Sequence, residues 1–405
     1  MKKFNIPEIY KSKIIGRIKE ERRLSDKLKK DFSPTILDFG TVRFQIARHF
    51  GFCYGVENAV EIAYKTLELH PDKRIFLLSE MIHNPDVNAD LLSRGVRFLM
   101  NTKGEQLVDW SDLVKEDIVI VPAFGTTFEI QSKLNSLGID PYAFDTTCPF
   151  VEKVWNRASK IGDSGHTVII HGKPNHEETR ATFSHSIANT PTLIIKDIKQ
   201  AQKLAFYIKG ELPNKDFEND FKGQFSEGFN PETDLVKIGV VNQTTMLAYE
   251  TQEISEYLKE TIKDFRRLDD NAIGEYFANT KDTLCYATND NQDATNELIK
   301  QEADFAVVVG GYNSSNTSHL VELCETKHKT YYIQSEKNLI NKSTIEHFSL
   351  SSKEVITSKN YLPEKGKVDI LLTCGASCPD AVMEQVLLRI VSFFNNTLPL
   401  ENVFK

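Results

Sequence analysis

The sequence predicts an α/β protein with mostly parallel sheets. Three observations lead there. From residue 41 onward, short β-branched runs alternate with amphipathic stretches of helical length, the signature of repeated βα units. Each run enters its helix through a short polar loop, the place where parallel sheets gather ligands. The third is bulk: 405 residues, 40% hydrophobic and 26% charged, are ordinary values for a folded, multi-domain chain.

The elements follow in order. VRFQIA passes through RHFGFC into YGVENAVEIAYKTLEL, where Val56, Val60, Ala63 and Leu67 share one helical face. DIVIV passes through PAFGTT into FEIQSKLNSLG, with Gly138 as the stop. YAFD leads through TTCP into FVEKVWNRASKIG, and HTVIIHG through KPNHEET into a further helix. FAVVVGG leads through YNSSNTS into HLVELCE, and VDILLT through CGASCP into DAVMEQVLLRIVSFF. Residues 208–235 break the pattern with charges and turn formers, and read as a surface excursion within a domain. Ahead of the pattern, residues 1–32 hold 11 Lys/Arg against 5 Asp/Glu. Ile14, Ile15, Ile18, Leu24 and Leu28 recur there, so a charged helical extension lying on the surface is expected.

Composition removes several function classes. The net charge of −8 argues against general nucleic-acid binding, which needs a basic face to release counterions. No apolar run approaches the roughly 18 residues of a membrane span. The N-terminus, MKKFNIPEIYKSK, lacks an apolar core and a small-residue cleavage site, so no secretory signal is expected. Its acidic residues and scarcity of serine also argue against a transit peptide. Six scattered cysteines do not make a disulfide scaffold; a reducing, cytoplasmic compartment is the expectation.

Three of those cysteines share a local context. Cys53, Cys148 and Cys285 each follow a strand-like or polar segment and precede a helix, and Pro149 suits a first helical position. A helix N-terminus favours a thiolate, the form that ligates metal. Their separations put each in a different βα unit, so three lobes can each offer one thiolate to a central cluster. Buried, inert thiols are the alternative. Cys324 lies in an apolar helical pattern and reads as core, while Cys374 and Cys378 form CGASC without the further cysteine a cluster motif needs.

Polar loops supply the other candidates. HGKPNHEET offers His171, His176, Glu177 and Glu178 ahead of a helix, either as a cation and proton donor or as an ordinary cap. NSSNTS (313–318), QTT (243–245) and CGAS (374–377) can cradle phosphate oxygens at helix starts or simply cap them. EMIHNP adds His83 after a strand-like run.

Taken together, GFCYGVENAV, EMIHNPDV, AFDTTCPFVEKVW, HGKPNHEET, GVVNQTTM, LCYATNDNQDA, VVGGYNSSNTSHL and GASCPD resemble the LytB family of 4-hydroxy-3-methylbut-2-enyl diphosphate reductases over about residues 40–395. The basic N-terminus and SEGFNPETDLVK resemble its longer plant and cyanobacterial branch. The resemblance implies three pseudo-threefold-related α/β lobes around a central iron–sulfur cluster. With the pattern above, it divides the chain into an extension (1–40) and lobes at 41–147, 148–283 and 284–405, the strand within 41–53 joining the third lobe.

It further implies a [4Fe–4S] cluster with Cys53, Cys148 and Cys285 as ligands and one open iron, which can bind substrate oxygen as a Lewis acid. The implied reaction removes an allylic hydroxyl with two electrons and two protons, giving isopentenyl and dimethylallyl diphosphate. Carried over by motif, Glu178 is the proton source with Thr244 beside it. His83, His176, Ser314, Ser315, Asn316 and Ser377 hold the diphosphate. Ferredoxin or flavodoxin is the implied electron donor. Where the short branch has His-Gly in a third phosphate loop, this chain has Phe124 in PAFGTT, with Thr126 or Thr127 to compensate. A cluster-dependent hydratase and an electron carrier are the competing classes; the phosphate loops disfavour the carrier and the resemblance disfavours the hydratase.

Overall fold

The computed structural model describes residues 4–278 and 283–404. The chain gathers into two compact units, one of Met1–Lys65, Ile82–Ser93 and Tyr286–Lys405, the other of Thr66–Met81 and Arg94–Cys285.

The first unit is built on a five-stranded sheet in the order Thr35–Asp38, Val42–Ile46, Val368–Cys374, Phe305–Val309 and Thr330–Ile333. Its first pair is antiparallel and the rest are parallel. Val368–Cys374 is central, with Ile370 opposite Phe44 on one side and Phe305 on the other. The strand FAVVV is buried at every residue, as a parallel strand covered on both faces must be. Val42–Ile46 thus joins the edge strand Thr35–Asp38 to three strands that lie more than 250 residues later.

The N-terminal segment departs from the surface extension expected of it. Ser12 caps the helix Lys13–Ser25, and Ile14, Ile15 and Ile18 enter the core of this unit. Thr35–Asp38 then forms the sheet edge. A charge count averages over both faces of an amphipathic helix, so it hid the buried stripe; Leu24 and Leu28 do stay exposed.

The second unit holds two three-stranded parallel sheets. One runs Arg97–Phe98, Ile75–Leu77, Ile118–Ile120; the other runs Thr192–Ile195, Thr167–His171, Ile238–Asn242. Each has its own apolar cluster, around Phe76, Val119 and Leu134 in one and Ile169, Val240 and Leu258 in the other. The excursion 208–235 is also less superficial than its charges suggest. Phe217 and Phe221 are buried in the second cluster, and Phe225 and Phe229 pack on it. A four-residue aromatic spacing had been masked by the charges between. These three sheets therefore occupy two units, and residues 82–93, assigned by sequence to the first lobe, fall in the unit of the five-stranded sheet.

Candidate active site

In the second unit, one buried carboxyl group organises the chemistry. His176 caps the helix Glu177–Ile187, its Nδ1 accepting from Glu178 N at 3.2 Å. A neutral ring that accepts at Nδ1 carries its proton on Nε2, a donor of the kind that suits an anion. Glu178 is 1% exposed. Both its carboxyl oxygens are held by one residue: Thr244 N donates to Oε1 at 2.5 Å and Thr244 Oγ1 to Oε2 at 2.9 Å. Glu177 turns elsewhere, since neighbours at a helix start do not share a face. It accepts from Ser79 Oγ and lines a cavity of about 290 Å3 with Ser79, Thr126, Thr127 and Arg180.

Two cysteines stand in the same neighbourhood. Cys148 is the N-cap of the helix Pro149–Asp163, and its amide donates to Ala123 O at 3.0 Å. Cys285 N donates to Thr244 O at 3.2 Å, so the Thr244 turn holds both the acid and the cysteine backbone. Burial pushes the Cys148 thiol up to about 11, with Cys285 and Glu178 adding to the rise and the Phe150 and Val151 amides opposing it. A thiol whose ionisation is discouraged by burial and by neighbouring acidic groups is one that a cationic group would stabilise in the ionised state. Among the described residues, no three His, Cys, Asp or Glu side chains converge tightly enough to hold a single metal ion.

Sequence reasoning missed the brace behind this site. Asn242 N donates to Thr283 Oγ1 and Thr283 N to Asn242 Oδ1, both at 2.9 Å, which locks the strand end to the segment leading into Cys285. No local signal marks such a pair, because its members are 41 residues apart.

In the first unit, the CGASC loop plays the connecting part. Cys53 N donates to Ala376 O at 3.3 Å, and Ala376 N donates to Asn316 Oδ1 at 2.9 Å. Ser377 Oγ donates to His83 O at 3.0 Å. Ser314 caps the helix Ser315–Glu325, accepting from Thr317 N at 3.2 Å. Ser315 Oγ and Asn316 Nδ2 are buried with no hydrogen-bond partner among the described residues. Cys53, His83, Ser314, Ser315, Asn316 and Ser377 are thus gathered in this unit, and Cys148, His176, Glu178, Thr244 and Cys285 in the other.

Each of the three candidate cysteines immediately precedes a helix, starting at Tyr54, Pro149 and Tyr286, and each is partly exposed. Cys324, Cys374 and Cys378 are fully buried. Cys374 Sγ faces Met383 Sδ at 3.6 Å, an apolar setting that suits a packing role.

The PAFGTT loop places Phe124 against His176, edge-on, with ring centroids 5.6 Å apart. Gly125 makes this possible: its φ is +75°, and a Cβ there would lie 2.5 Å from the Trp155 ring. Thr127 Oγ1 accepts from Ile130 N as a helix cap. Phe124→His keeps a flat ring beside His176, so steady-state assays should find turnover within about tenfold, or roughly 1.4 kcal/mol of barrier. A loss of several orders of magnitude would show that the site depends on the phenyl ring itself.

The LytB protein family matches residues 44–391, most of the chain. The chain belongs to that family. Relatives named 4-hydroxy-3-methylbut-2-enyl diphosphate reductase include one from Microcystis aeruginosa, 42% identical over 90% of this chain and 88% of its own length. Another, from Crocosphaera subtropica, is 41% identical over 87% and 85%. Among solved structures, the E-1-hydroxy-2-methyl-but-2-enyl-4-diphosphate reductase from Plasmodium falciparum aligns with a TM-score of 0.60 at 22% identity, over 86% of this chain and 87% of that one. That likeness is one of fold, and it is the α/β, mostly parallel fold of the LytB family. No described helix is long and apolar enough to cross a membrane.

Proposed function

We propose that this LytB-family chain is an iron–sulfur reductase. It converts (E)-4-hydroxy-3-methylbut-2-enyl diphosphate to isopentenyl and dimethylallyl diphosphate, the last step of the methylerythritol phosphate route. The names of its relatives support this reading. The observation that carries it from the site itself is Glu178, a buried carboxyl group gripped twice by Thr244 with Cys148 and Cys285 nearby.

The proposed ligands of a [4Fe–4S] cluster with one open iron are Cys53, Cys148 and Cys285. When bound, such a cluster supplies electrons and a Lewis acid for the substrate oxygen. Cys53, Cys148 and Cys285 would hold the cluster through several irons, so the three would not need to converge on one ion as a mononuclear site requires.

Glu178 is the proton source for the departing hydroxyl. Once protonated, one of its oxygens becomes a donor. The Thr244 hydroxyl can accept that proton and pass its own onward, while Thr244 N keeps the other oxygen in place. His83, His176, Ser314, Ser315, Asn316 and Ser377 hold the diphosphate. Ser315 Oγ and Asn316 Nδ2 support that assignment, because buried polar atoms without a partner cost about 1–3 kcal/mol each. Phosphate oxygens would satisfy both, at a helix start whose dipole favours anions. The electron donor is a small redox protein such as ferredoxin or flavodoxin. Six free thiols fit a reducing cytoplasm.

Anaerobic protein, reconstituted with iron and sulfide, is expected to bleach reduced viologen dye only when the allylic diphosphate is added. Bleaching that ignores the substrate would overturn the reading in favour of an electron carrier.

A further inference from the structure

The N-terminal segment does more than fill the core. The loop that carries Cys53 presents rings at Phe50, Phe52 and Tyr54, and the segment meets all of them. Phe4 packs edge-on against Tyr54 at 4.9 Å, Tyr10 against Phe52 at 6.0 Å, and Lys19 Nζ lies 4.9 Å from the Phe50 ring centre. The two strings of contacts run in opposite directions, 4-10-19 against 54-52-50. Gly51, between the first two rings, has φ +76°, and a Cβ there would lie 3.0 Å from Lys19 Nζ. Farther along, Lys29 sits over the Tyr286 ring at 6.0 Å, and the Tyr286 hydroxyl accepts from Tyr54 N at 3.1 Å.

Each contacting residue, or its close neighbour, is anchored in the unit's helices. Asn5 N donates to Glu61 Oε1 at 2.9 Å, and the Tyr10 hydroxyl shares a 2.6 Å hydrogen bond with that of Tyr64. Lys19 pairs with Asp380 at 2.6 Å. The helix behind them is held by Ile14, Ile15 and Ile18 in the core. Between those rings, the backbone amide of Cys53 donates to Ala376 O at 3.3 Å. The positions of rings on either side of Cys53 are thus set by the N-terminal segment.

We propose that residues 4–29 are a clasp that positions Cys53, and through it governs how firmly the chain retains its cluster. The clasp rests on the reading of Cys53 as a ligand; its hold on the loop does not. A thiol on a loosely held loop is the first to let go, because local opening exposes it without unfolding the rest. The segment's residues are positioning residues and touch no reacting atom.

The test compares Phe4→Ala/Tyr10→Ala with Tyr10→Phe and with Leu24→Ala, a change at an exposed position of the same segment. In metal-free protein, the iodoacetamide alkylation rate of each cysteine is read by peptide mass spectrometry. In the reconstituted holoprotein, anaerobic iron release to a chelator is followed optically. Loss of two ring contacts should raise Cys53 alkylation about tenfold, with Cys148 unchanged, Leu24→Ala near the parent, and Tyr10→Phe, which keeps the ring but loses its anchor to Tyr64, in between. Iron release should quicken in the same variant. An unchanged Cys53 rate, or equal acceleration at Cys148, would overturn the clasp. Faster Cys53 alkylation with unchanged iron release would leave the clasp's grip on the loop standing and refute Cys53 as a ligand.

Discussion

Glu178→Gln is expected to retain the cluster absorbance and bind substrate, yet lose about 10²–10⁴-fold in turnover, the usual scale of general acid–base catalysis. Glutamine keeps the shape, and its carbonyl oxygen can still accept from Thr244 N. Its amide, however, cannot release a proton to a departing hydroxide. The amide NH2 would also face the Thr244 hydroxyl as a donor, so that hydroxyl must turn to accept. Thr244→Ser should be mild, since it preserves both hydrogen bonds to the acid. Glu177→Gln should be mild too, because Glu177 is engaged by Ser79 and lines the cavity that holds Thr126 and Arg180. Single-turnover measurements on reduced protein separate the chemical step from binding. Near-normal turnover in Glu178→Gln with collapse in Glu177→Gln would reverse the assignment.

Replacing Cys53, Cys148 or Cys285 by Ser should remove most bound iron and, with it, activity. A serine hydroxyl is nearly the size of the thiol but is not the soft thiolate that iron–sulfur clusters select. Cys324→Ser is the informative contrast. Cys324 is fully buried in the core of its unit, so a hydroxyl there should lower stability by about 1–3 kcal/mol through desolvation while leaving the iron content alone. Iron and acid-labile sulfide analysis with visible absorbance reads the first effect, and denaturant unfolding reads the second. Full cluster absorbance in Cys285→Ser would refute Cys285 as a ligand.

Much of this chain is legible locally. The alternation of FAVVV, HTVIIH and VDILLT with amphipathic stretches identifies parallel α/β layers, because strand and helix periods follow from backbone geometry alone. Helix starts are equally local: Pro149 follows Cys148, and Ser314 precedes a helix whose amides it caps. Resemblance then narrowed two adjacent glutamates to Glu178. What stayed hidden depends on partners far away in the chain. Thr244 reaches Glu178 across 66 residues, Asn242 meets Thr283 across 41, and Tyr10 meets Tyr64 across 54. The charge of the first 32 residues pointed outward, whereas Ile15 is fully buried and the rings beside Cys53 meet Phe4 and Tyr10. Periodicity and capping decide what each segment becomes, since they act within a turn or two of backbone. Which carboxyl group meets which hydroxyl, and which rings pack beside a cysteine, is decided by packing between segments, and only the tertiary structure brings those segments together.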